Sequence, residues 1–173
     1  MGLLDKLTGT KHPDDGVEPR STADVRAALL ALNGPDVPYA VRYGRDAGDD
    51  DADLVAEWRV TEPTWHGFFS RTDVRHVLRF RMRLVPDKHE VRVVEQQLEV
   101  TWVRGVPTLS VSAEAGRGPG RTVSKQWTLG RNDEGRIEAT ETFSFDSADL
   151  RDPLRQAILG SGWTWRGVVI GKL

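Results

Sequence analysis

Apolar and polar residues alternate most strictly at residues 78–84, where Arg79, Arg81 and Arg83 separate Leu78, Phe80, Met82 and Leu84. A period of two describes a strand with one dry face and one wet face. Pro86, Asp87, Lys88 and His89 follow. They suit a chain reversal, because proline fixes the φ that a tight turn needs. A second strand over residues 90–103 completes a long β-hairpin, with Leu84 expected opposite Val91 and Met82 opposite Val93. On this return strand the apolar residues move from odd positions (Val91, Val93) to even ones (Leu98, Val100, Trp102). The shift predicts a β-bulge between Val94 and Gln97, since one extra residue turns all later side chains to the other face.

The same pattern marks further strands downstream. They are carried by Leu109, Val111 and Ala113, by Val123, Trp127 and Leu129, and by Ile137, Ala139, Phe143 and Phe145. Upstream, Tyr39, Val41 and Tyr43 mark one strand, and Leu54, Ala56 and Trp58 another. Pro63 and Gly67 interrupt the apolar residues of 62–72, which predicts a loop or short edge strand. A helix is expected over residues 21–33, with Ser21 at its N-cap, Val25, Ala28, Leu29 and Leu32 on one stripe, and Asn33-Gly34-Pro35 as its stop. A second is expected over 147–159, with Leu150, Leu154, Ala157 and Ile158 on its stripe. Pro153 belongs in the first turn there and Asp152 at a capping position, with residues 147–152 as a separate turn. Residues 163–170 read as a last, well-buried strand.

These elements predict an α+β, β-dominated fold. It is a curved antiparallel β-meander of about seven to nine strands, a closed or half-closed barrel, packed by the two helices. Residues 1–20 read as a flexible or loosely packed segment ahead of a single domain over 21–173. The order of meander, helix and strand is similar to that of calycin-type barrels, and also to the tubby-like barrels that hold a late helix. The Gly-x-Trp signature of lipocalins is absent ahead of Leu54.

Composition narrows the function. The chain has 173 residues, 38% of them hydrophobic and 29% charged, enough for one domain with a real core. A net charge of -2 gives no bulk attraction to nucleic acid. Without cysteine there is no disulfide and no thiolate metal site. No long apolar run follows a basic flank, so a cytoplasmic protein without a membrane span is expected. No hydrolase, zincin or dinucleotide signature is present, and His12, His66, His76 and His89 lack metal-ligand spacing. No cofactor is expected.

Candidate chemistry lies on the apolar faces. Aligning residues 123–131 with 137–145 so that Leu129 faces Ile137 sets Lys125 opposite Glu141. A charge on a dry face needs such a partner. His76 falls between Val74 and Leu78 on the hairpin. Trp58, Trp102, Trp127, Trp163 and Trp165 fall on apolar faces, where large rings fill a core or line a pocket. The expectation is a non-catalytic binding domain in which His76, Trp102, Lys125, Trp127 and Glu141 line one cavity for a small hydrophobic or amphipathic ligand. The alternative is a module that binds a protein partner through its surface. That surface would be the tip bearing Leu3, Leu4 and Leu7 (also a weak peripheral membrane contact), the loop with Arg117 and Arg121, or a sheet edge. The stripe of Arg75, Arg79, Arg81 and Arg83 reads as a solvated ladder against Glu90, Glu95 and Glu99, and the acidic stretch 46–53 as a solvated loop.

Overall fold

The computed structural model describes residues 2–71, 73–111, 123–131, 134–169 and 173, and the backbone alone for 123–131, 137–145 and 147–148. The elements run α1 (Leu3–Thr8), α2 (Thr22–Leu30), β1 (Tyr39–Tyr43), β2 (Leu54–Trp58), α3 (Pro63–Ser70), β3 (His76–Val85), β4 (Glu90–Val103), β5 (Val106–Val111), β6 (Val123–Arg131), β7 (Ile137–Asp146), α4 (Arg151–Gly160) and β8 (Thr164–Gly167). The fold is α+β. Its main sheet is a curled half-barrel of six strands in the order β1-β2-β3-β4-β5, with β8 added to β4. β6 and β7 form a separate two-stranded sheet, so the expected continuous meander divides after β5.

The β3–β4 hairpin has the expected register, with Leu84 opposite Val91 and Met82 opposite Val93. The expected bulge is absent, because pairing runs without a break from Val85↔Glu90 to His76↔Glu99. The apolar set changes parity for another reason: the two halves of β4 are buried on opposite faces. Near the turn, Val91 and Val93 lie with Phe80, Met82 and Leu84 on the inner face. Farther along, Val77, Leu98 and Val100 are buried on the outer face. The outer edge of β4 changes partner over the same span. β8 pairs in parallel with Glu90–Val93, and β5 pairs antiparallel with Leu98–Val103.

The helices close the inner face. Ser21 caps α2 by accepting from the Asp24 amide at 3.2 Å. Val25 and Leu29 of α2 meet Leu154 and Ile158 of α4, all without solvent exposure. A 3-10 turn at Ser147–Leu150 precedes α4, which starts at Arg151, so Asp152 lies inside the helix and Leu150 takes the cap position without a side-chain bond. Trp163 and Trp165 are core residues, 1% exposed, and Trp58 is 5% exposed.

The stretch expected as loop or edge strand is instead the helix α3. Pro63 occupies its first turn, where a missing N–H costs nothing. Trp65, Phe68 and Phe69 share a helical stripe. Phe69 is fully buried, with its ring 6.2 Å from that of Trp58.

Candidate binding cleft and the charged faces around it

β4 runs past the start of β3, and a cleft of about 420 Å³ opens at that end of the sheet. Asp73, Arg75, His76, Glu99, Val100, Thr101 and Trp102 line it. The Val100 amide still donates to Arg75 O at 2.7 Å. That bond makes the next pair, His76↔Glu99, a non-hydrogen-bonded one, in which side chains stand closest. His76 and Glu99 lie on the inner face and Trp102 on the outer. Both faces reach the cleft because it wraps the strand end. The Trp102 indole donates to Val74 O at 2.8 Å, which fixes the ring as a wall. Arg75 is aligned by two bonds to Asp73 Oδ2, at 2.9 and 3.1 Å. An apolar wall thus stands beside basic, acidic and imidazole groups.

Of the residues expected to share a cavity, His76 and Trp102 meet here. Lys125, Trp127 and Glu141 lie on the β6–β7 pair, and their side chains are outside the described residues. The backbone register there opposes Trp127 to Glu141 and Lys125 to Ser144, with an irregularity between Gln126 and Trp127. The expected Lys125–Glu141 pairing is therefore not the register formed: Leu129 already opposes Ala139 and Ile137 opposes Arg131, two residues from the expected alignment, and the irregularity at Gln126/Trp127 adds one more. Arg117 and Arg121 lie outside the described residues. Leu3, Leu4 and Leu7 are on α1, 78%, 74% and 62% exposed.

The arginine stripe does not face a glutamate ladder. In register, Arg79 opposes Gln96, Arg81 opposes Val94 and Arg83 opposes Arg92. All three side chains instead hold the acidic loop of residues 44–53. Arg79 donates to Ala47 O at 2.9 Å, Arg81 forks onto both Asp49 oxygens, and Arg83 reaches Asp51 O. The loop is a built structure, with Asp49 buried and its carboxyl held below the usual range by the Arg81 hydrogen bonds, against the opposing effect of burial. Gly44 is obligatory, since a Cβ there would lie 1.9 Å from Ala52 O. Glu95 faces inward, where Arg151 of α4 takes both its oxygens at 2.7 and 2.8 Å.

Among the described residues no cluster of His, Asp and Glu could hold a metal ion, and no helix is long and apolar enough to cross a membrane. No known family model, curated protein or solved structure matches the chain.

Proposed function

We propose that this is a non-catalytic binding domain whose ligand is a small amphipathic molecule held in the cleft at the end of β3 and β4. The observation that carries the reading is the composition of that cleft. About 420 Å³ is bounded by the Trp102 ring on one side and by His76, Glu99 and Arg75 on the other. The volume lies within the usual range for small-molecule sites. A ring or short chain would lie on Trp102, and its polar end would meet His76 and Arg75. The lack of cysteine fits a reducing, cytoplasmic setting.

The test is titration with 1-anilinonaphthalene-8-sulfonate, an apolar ring system with an anionic end. One equivalent should bind with enhanced fluorescence, and Trp102→Ala should weaken binding about tenfold, by analogy with the loss of a buried aromatic anchor. Equal affinity in Trp102→Ala would exclude the cleft. Partner binding has one observation of its own. β5 pairs only with β4 among the described residues and exposes Val106 and Val111 along its length, which suits an added strand from another protein.

A further inference from the structure

A second cavity, of about 350 Å³, lies on the outer face where β8 joins β4, far from the cleft in sequence and chemistry. Lys88, Glu90, Arg92, Arg166 and Val168 line it. Parallel pairing sets Arg92 directly opposite Arg166, and antiparallel pairing sets Arg83 opposite Arg92. Three arginines thus form one row across three strands. Like charges directly opposite each other destabilise a sheet. Arg83 is relieved by Leu173 O at 3.1 Å. Arg92 and Arg166 share one carboxylate: Glu90 accepts from Arg92 Nε at 3.1 Å and from Arg166 Nε at 3.3 Å. A single structural ion pair would need one arginine, and this pocket holds a second arginine and Lys88 besides.

Glu90 is the positioning residue. Its side chain is only 6% exposed, so it is fixed, and it holds both guanidinium groups by their Nε atoms. The terminal Nη donors of Arg92 are left without a protein partner among the described residues. Three cations against one carboxylate leave two positive charges in the pocket. Asp5 touches Arg166 at 3.7 Å but does not line the pocket, and it is shared with His12 at 3.3 Å.

We propose that this pocket binds a phosphoryl group, a doubly charged tetrahedral anion that two oriented guanidinium forks and a lysine match in charge and geometry. The phosphoryl group could belong to a soluble metabolite or to a lipid. A lipid source fits because Arg166 also contacts α1, whose exposed Leu3, Leu4 and Leu7 would enter a bilayer surface beside the pocket.

Calorimetric titration of the full chain with inorganic phosphate in low-salt, phosphate-free buffer tests the site. Saturable one-to-one binding is expected, weakened at least tenfold in Arg92→Gln and in Arg166→Gln and unchanged in the surface control Arg45→Gln. Arg92→Lys, which keeps the charge and loses the fork, should lie between wild type and Arg92→Gln, and circular dichroism verifies that each variant is folded. Sedimentation with phosphatidylcholine vesicles, with and without phosphatidic acid, separates the sources. Co-sedimentation that needs phosphatidic acid, Arg92 and Leu4 together assigns a lipid headgroup. Phosphate binding without co-sedimentation assigns a soluble ligand. Absence of saturable phosphate binding together with absence of phosphatidic-acid-dependent sedimentation overturns the proposal, and so does equal phosphate binding by Arg92→Gln.

Discussion

The Arg81–Asp49 pair shows how a single contact organises a loop. Asp49 has its carboxylate almost out of solvent, and Arg81 approaches it with two donors. Asp49→Asn should lower stability to urea by about 1.5–3 kcal/mol, the range for a hydrogen bond to a charged group. Asp50→Asn, on an exposed neighbour, should stay within about 0.5 kcal/mol. The pair also predicts an acid response. The folded carboxyl of Asp49 titrates below its unfolded value. Its stabilisation is therefore complete above the ordinary carboxylate range and disappears as pH falls through the lowered folded value. An acid scan of wild type should lose stability there that Asp49→Asn has already lost. The Glu95–Arg151 pair is likewise largely buried, 15% and 13% exposed at the side chain. Glu95→Ala alone should cost about 3 kcal/mol by removing the carboxylate that accepts two bonds from Arg151. Glu95→Leu combined with Arg151→Met should recover most of that loss in the same unfolding assay, because an apolar pair needs no compensation.

Among the elements, β8 rests on a close approach that tolerates no side chain. A Cβ on Gly167 would lie 1.7 Å from Thr8 O. That contact lets Thr10 Oγ1 accept from the Gly167 amide at 3.1 Å, and it aligns Lys11 with Trp165 through two backbone bonds of 2.9 Å. Gly167→Ala should release the leading segment, read as much faster hydrogen exchange at the Lys11 amide with the β3–β4 amides unchanged. The hairpin itself was legible because the period of two along β3 is unbroken and its turn residues are distinctive. The face change at residues 94–97 was also visible, but its cause was not. A bulge and a change of covering layer leave the same trace in one sequence, and only the other strands distinguish them. α3 was obscured by Pro63, which reads as an interruption until it is seen in the first turn. Asn33 carried no sequence signal beyond a helix stop. In the structure its side-chain amide imitates a strand, donating to Val41 O at 2.8 Å and accepting from the Val41 amide at 2.7 Å. His76 and Trp102 were identifiable as unusual residues on a strand pattern. Arg92 and Arg166 were not, because residues from distant parts of the chain become neighbours only through a parallel pairing that no local pattern announces.

At the scale of the molecule, one hydrophobic cluster links both helices, α3 and the sheet, and Phe80 and Trp165 meet within it at 6.2 Å between rings. Truncating either to alanine should cost about 3–5 kcal/mol in equilibrium unfolding. Truncating the half-buried Trp65 should cost clearly less. The parallel union of β8 with β4 also orders events in time. Thr164 must find Glu90, and Trp165 must settle beside Val91, so the ring that completes the interior is synthesised after the hairpin it covers. Until then the nascent hairpin carries Phe80 uncovered and a bare strand margin at Glu90–Val93, the kind of surface that chaperones bind. A chain cut back to residue 162 should be protease-sensitive throughout, and a chain that keeps β8 should be protected as a whole.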